Sequence, residues 1–440
     1  GGDAAGMSAA SRAKRKDPNM EVIVLEQTFD VSYSACGMPY NIADPKRDME
    51  TLVVRKARIF IEKNRINLLI GHRVTDIDRT EKKVFGVTIG GESFSFDYDK
   101  LFIATGASSV RPDLPGIDLP QVMALKSLEQ GKQIKYYLEK NPIKKAVIIG
   151  MGYIALEMCE AFEKSGIKTS MVKPGPVFLP WLSPDLADVI YHELTNKGID
   201  IYPGVPIERI EPLGNSVQVV CENLILEADL VLVAMGVKPC SKIAKEAGLD
   251  IGIANSIAVD KYLQTSDNNI YAAGDCADAF HLVSGAKCWI PLALRANRAG
   301  WAVADNVCGT QTGLQGVAGT SVFKVFSLEV ARSGLNFKEA KKAGFDPVEN
   351  NVKTRSRAHG HPGSTPIHIN MVADKKTGRL LGAQMVGKEG VAHRINAVAV
   401  ALHNKMTVKD FSQTDLAYAP PFGPVWDPLL TAANQLVKKI

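Results

Sequence analysis

The segment VSYSACGMPYN, residues 31–41, sets one cysteine, Cys36, among small and hydroxyl-bearing neighbours. A structural cysteine usually sits inside an apolar run, and this one does not. Small neighbours leave its sulfur accessible, Gly37 permits a close backbone approach, and Pro39 suits the first turn of a helix. A helix starting there would favour the thiolate, which is the nucleophilic form. The pattern points to a sulfur that reacts; a buried, inert thiol is the alternative. The chain has 7 cysteines, with no C-x-x-C and no metal-ligand spacing. Neither a disulfide framework nor a metal site is expected, and a reducing cytoplasm fits best.

A reactive sulfur needs a redox partner, and the glycine turns point to one. From Lys145 the chain reads KAVIIGMGYIALEMCEAFEKSG. An apolar β-branched run stops at Gly150, a tight turn follows, and a helix-forming stretch begins. Gly150, Gly152 and Ala155 fall in a G-x-G-x-x-A spacing. The first glycine makes the turn and the second lets a pyrophosphate approach the backbone. The small third residue permits close packing, and the helix N-terminus holds negative charge. Dinucleotide binding is expected along this turn and helix start, Ile154 and Glu157 included; a tight turn without a ligand is the alternative. The next strand, TSMVKPGP, ends in Lys173 where an acid would ordinarily hold a ribose. A cation there suits a 2′-phosphate and a solvated lysine reads equally well, so NADH and NADPH both stay open.

The chain's opening, GGDAAGMSAASRAKR, repeats this grammar with Gly1 and Gly6 at the outer glycine positions. The strand MEVIVLE follows and ends in Glu26, 20 residues after Gly6, where an acid binds a ribose hydroxyl. The strand that should precede Gly1 is expected to lie outside this sequence; the alternative is a damaged first nucleotide site. KLFIATGAS carries Ala104, Thr105 and Gly106, and ADLVLVAMGVKP carries Gly236. Each reads as a strand and glycine turn where one nucleotide unit passes into its neighbour. IYAAGDCAD ends a buried strand in Asp275, which can hold a cofactor hydroxyl at a helix start or serve as a plain N-cap.

A length of 440 residues calls for two or three domains. Hydrophobic content of 46% with 22% charged residues is that of a globular chain. A net charge of +5, spread along the sequence, gives no reason to expect nucleic acid or a membrane surface. The apolar runs are strand-length and far short of a membrane span. The expected architecture is α/β: an FAD-binding unit over 1–112 and 236–319, an NAD(P)-binding unit over 113–235, and an α+β dimerisation domain over 320–440.

Taken together, GGDAAG…VIVLE, the cysteine segment, ATGA, GMGYIALE and AAGDCAD resemble the pyridine nucleotide-disulfide oxidoreductases over essentially the whole chain. The resemblance implies FAD in the first unit, NADH or NADPH in the second, and a homodimer. Cys36 has no partner cysteine at 40 or 41, so the chain is similar to the single-cysteine branch: coenzyme A disulfide reductases, NADH oxidases and NADH peroxidases. Its sulfur would cycle through a sulfenic acid or a mixed disulfide. The oxidases and peroxidases of that branch place a histidine where Ala4 stands. DLAYAPPFGPVWDPL resembles the coenzyme A disulfide reductase pattern, with Tyr418 in the place that assists thiol chemistry. His361, in HGHPGS, stands where some members carry a second tyrosine; its roles as proton donor and as plain loop residue are both open. Ser8, Arg12, Arg15 and Ser32 fall at positions that contact coenzyme A in family members, with a solvated basic helix end as the alternative. Tyr153 is the candidate side chain covering the flavin ring.

The implied activity is reduction of coenzyme A disulfide, persulfide or polysulfide by NAD(P)H through one redox-active cysteine. An NADH oxidase or peroxidase and a nucleotide-responsive scaffold without catalysis are the competing readings.

Overall fold

A computed structural model describes all residues 1–440. A five-stranded parallel sheet forms its middle, in the order Asp200–Pro203, Lys168–Lys173, Lys145–Ile149, Leu230–Val233, Val122–Ala124. Strands covered on both faces must be apolar throughout, which is why AVII and LVLV are unbroken hydrophobic runs, buried at every position. The helix Tyr153–Lys164 buries Leu156, Met158, Cys159 and Phe162 on this sheet, and Lys164 closes its negative end.

The first unit is built from two parallel pairs, Ile23–Glu26 with Asn67–Ile70 and Leu101–Ile103 with Ile270–Ala272. Gly1 sits between them. Its amine donates to Leu25 O at 2.9 Å, and a Cβ on it would lie 2.0 Å from Ala104 O. The first helix, Ala4–Lys16, packs on Ala293–Val307 through small residues: Ala9, Ala13 and Ala304 share a core, and a Cβ on Gly300 would lie 2.3 Å from Ala5 O. Each nucleotide unit also carries a three-stranded antiparallel sheet, so the unit is built twice on one plan.

The C-terminal sheet is antiparallel, ordered Ser321–Val325, Leu328–Gly334, Leu380–Gly387, Pro366–Asp374, Pro347–Arg355. Its strand Leu380–Gly387 is buried at all eight positions. The reason lies on both sides. Val330 and Val386 join the core of the helix Tyr153–Lys164, while Ala331, Ala383 and Met385 join a second core under Val391–His403 and Pro428–Val437. Polar ties follow the same seam. Glu160 accepts from Lys324 Nζ at 2.5 Å and from the Phe326 amide at 2.8 Å. Gln384 donates to Trp181 O and accepts from the Ser183 amide, both at 2.7 Å. No helix is long and apolar enough to cross a membrane.

Candidate active site

Two glycine turns, one from each nucleotide unit, open onto a single cavity of about 2900 Å³. Gly1, Glu26, Cys36, Ala104, Thr105, Gly106 and Asp275 line it from one side, and Gly150, Gly152, Tyr153, Ile154, Glu157, Lys173 and Gly236 from the other. A drug-sized pocket is roughly 300–1,000 Å³, so this space suits two dinucleotides rather than one.

The second turn fits a diphosphate in detail. Gly150 adopts φ 125°, a conformation that strains any side chain, and its Cβ would meet Ala234 O at 2.2 Å. A Cβ on Gly152 would meet nothing within 4 Å, so the turn faces open space. The amides of Met151 through Ile154 have no acceptor in the chain, as expected where a helix starts. Lys173 is half-buried and donates to Val177 O at 2.9 Å, and burial lowers its pKa. At the first turn, Glu26 accepts from the Gly2 amide at 2.6 Å and from Thr28 at 2.8 Å. Thr105 donates to Cys240 O, and the Cys240 amide to Gly106 O, which fastens the two crossovers together. Asp275 corrects one expectation: no helix starts there, since the next helix is Ala293–Val307. Its carboxylate instead pairs with Lys126 Nζ at 3.1 Å.

Cys36 lies in a short turn of helix, Ala35–Gly37, that runs into Met38–Ile42 with Pro39 in its first turn. Ser32, at φ 50°, bends the chain there, donating from its amide to Gly2 O and accepting from the Val54 amide. The sulfur is accessible and unpaired. Burial, then the Glu157 carboxylate, push its pKa up, while the Lys126 ammonium pulls it down. That is the reverse of the direction expected from a helix N-terminus. A five-residue helix aligns too few peptide dipoles to outweigh burial beside an acid.

Around the thiol stand Glu157, expected only as part of the dinucleotide turn, and Tyr40, Asp3 and Lys126, which are not expected at the site from sequence. Tyr40 donates to Glu157 Oε1 at 3.0 Å, and burial raises Glu157 to about 7. Asp3, in the first glycine turn, is pushed up to about 6 by burial, against a hydrogen bond from the Tyr33 amide. Lys126 directly precedes a capping box, Ser127 with Gln130, which fixes the loop that carries it. That box is its one sequence signal. Tyr153 rests against Trp181 and Phe323, with its hydroxyl 3.3 Å from Ser321 Oγ.

Gly6, Ser8, Arg12, Arg15 and Ser32 do not line the cavity, and neither do Tyr418 and His361 of the same chain. The loops of these last two are joined by the Ala358 amide donating to Pro420 O at 3.1 Å. Beside them Phe422, Val425 and Trp426 are exposed by more than 60% each. On the first helix, Arg12 is committed to a two-pronged pair with Asp305, at 2.8 and 2.9 Å, and Ser8 donates to Asn297. Arg15 is exposed, so of this set it alone is a solvated helix-end cation.

The pyridine nucleotide-disulphide oxidoreductase pattern matches residues 1–300, and the dimerisation domain of the same family matches 320–428. The chain is 38% identical over 437 residues to the CoA-dependent NAD(P)H sulfur oxidoreductase of Pyrococcus furiosus, covering 99% of this chain and 98% of that protein. It is 32% identical to an NADH oxidase of Methanocaldococcus jannaschii, with 100% and 98% covered. The solved NAD-dependent persulfide reductase of A. fulgidus superposes with a TM-score of 0.96 at 36% identity, over 100% of this chain and 82% of that one.

Proposed function

Since the chain belongs to the pyridine nucleotide-disulphide oxidoreductases, flavoenzymes that use FAD and NAD(P)H, we propose that it reduces coenzyme A disulfide, persulfide or polysulfide at Cys36. One observation carries this reading: of the three unpaired cysteines that line the cavity both dinucleotide turns share, Cys36, Cys240 and Cys288, Cys36 alone is exposed. The sulfur oxidoreductase and persulfide reductase relatives support the substrate class.

Gly150, Gly152 and the helix start behind them would hold the nicotinamide dinucleotide; Gly1, Gly6, Glu26 and Asp275 would hold the flavin. Bound flavin supplies two electrons from NAD(P)H to the oxidised sulfur. Cys36 Sγ then attacks the substrate's sulfur–sulfur bond, the bond breaks, and the departing thiolate takes a proton. Lys126 counters the charge on the Cys36 thiolate, and Tyr40 holds Glu157 beside it. Tyr418 is the proton donor, reaching the cavity from a second copy of the chain in a homodimer whose contact surface includes Phe422, Val425 and Trp426. His361 borders that surface. Arg12 and Ser8, each already bonded within the chain, shape the coenzyme A entrance, and Arg15 offers a free cation to its phosphates. Unpaired cysteines throughout suit a reducing cytoplasm.

The deciding experiment reduces the protein anaerobically with NADH and mixes it separately with coenzyme A disulfide, coenzyme A persulfide, peroxide and oxygen. Rapid flavin reoxidation by a coenzyme A species alone, lost in Cys36→Ser, is the expected result. Faster reoxidation by oxygen or peroxide would replace this reading with the oxidase one, which the NADH oxidase relative favours and Ala4 does not.

A further inference from the structure

Arg295 is nine-tenths buried in the first turn of the helix Ala293–Val307, and no carboxylate pairs with it. Its guanidinium donates only to main-chain carbonyls: Gly274 at 3.2 Å, Ile290 at 3.4 Å, Ala277 at 3.0 Å and Asp278 at 2.5 Å. A buried cation without a counter-charge is costly, so something must offset it.

The neighbours do not. Asp278 is neutralised by Lys287 at 2.7 Å and Asp275 by Lys126 at 3.1 Å. The thiols of Cys276 and Cys288 face the guanidinium, and burial keeps both protonated. One positive charge remains, reinforced by the positive end of its own helix. It lines the cavity beside the turn Gly274–Asp275, whose two amides have no acceptor within the chain and whose residues also line it. Free amides and a cation bonded to the neighbouring carbonyls form a concavity built for negative charge.

We propose that Arg295 sets the charge balance of the flavin site, favouring the added negative charge that flavin carries when reduced and so raising its reduction potential. The inference rests on the flavoenzyme reading above. Arg295 borders the cavity itself and is bonded to the carbonyls of the Gly274–Asp278 segment, so it acts as a positioning residue with a field.

The test measures the two-electron potential of the holoenzyme against a reference dye in wild type, Arg295→Gln and Arg295→Lys. Arg295→Lys keeps a buried cation that can donate to the same carbonyls but replaces the forked guanidinium by a single ammonium. Arg295→Gln is expected to lower the ratio of affinities for reduced over oxidised flavin about tenfold, ~30 mV for a two-electron couple, and Arg295→Lys to keep the wild-type potential. A merely structural arginine predicts that both variants loosen flavin with the potential unchanged, and that result overturns the proposal. If Arg295→Gln holds no flavin, the lysine variant decides: wild-type potential with retained flavin supports the charge, and loss of flavin there overturns it. A wild type without flavin would instead sink the functional reading itself.

Discussion

Cys36 and Glu157 line the same cavity, and one carboxyl there is far from its ordinary behaviour. Glu157 titrates near 4.5 when unfolded and about 7 in the fold. The folded chain therefore binds that proton more tightly, so stability falls as pH rises from about 4.5 to about 7 and is level above. Asp3, at about 6, adds to the same slope. Glu157→Gln should remove the Glu157 part, gaining about 2 kcal/mol over wild type at pH 8 after solvent screening, and little at pH 5. Thermal melts across that range check it, and parallel pH profiles for the two proteins would refute it. The same variant should weaken the pH dependence of Cys36 alkylation between pH 6 and 8, because Glu157 is the acid that acts on the thiol. The reactive cysteine is legible in sequence because small neighbours, Gly37 and Pro39 are local signals. The protonation of Glu157 is not, since burial and Tyr40 reach it only through the fold.

At the scale of an element, the turn after the strand Lys145–Ile149 separates two roles of glycine. Gly150→Ala puts a Cβ 2.2 Å from Ala234 O at a positive φ, and should cost about 3 kcal/mol of stability. Gly152→Ala puts a methyl into open cavity, so it should melt like the parent while the KM for NAD(P)H rises about tenfold, ~1.4 kcal/mol. Melting curves with steady-state kinetics separate them; equal melting temperatures would remove the assignment of Gly150 to the turn. Strands and glycine turns of this kind are legible because buried parallel strands and tight turns each demand particular residues over a few positions. The ion pair of Lys126 with Asp275 joins residues 149 apart, and no pattern within either segment announces it. Nor does sequence alternation in the C-terminal sheet reveal that both its faces are covered, because what covers the second face comes from another unit.

For the whole molecule, the proposed role of Tyr418 requires sites completed across two copies, since the cavity that holds Cys36 is not lined by Tyr418 of the same chain. Mixing Cys36→Ser with Tyr418→Phe and letting subunits exchange should restore about a quarter of wild-type activity, since half the dimers are hybrids with one intact site each. No recovery would place the proton donor elsewhere. The C-terminal sheet carries a further consequence. Along Leu380–Gly387, Gln384 and Val386 face the nucleotide unit while Ala383 and Met385 face the terminal helices, so one strand is the shared wall of two interiors. A wall of that kind leaves no seam along which the chain can be cut. Expressed as separate pieces divided near residue 320, each half would present a raw apolar face and aggregate; heated intact, the two units should melt in a single endotherm. The cofactor-binding half is therefore no portable module, since it cannot leave this sheet behind without baring its core.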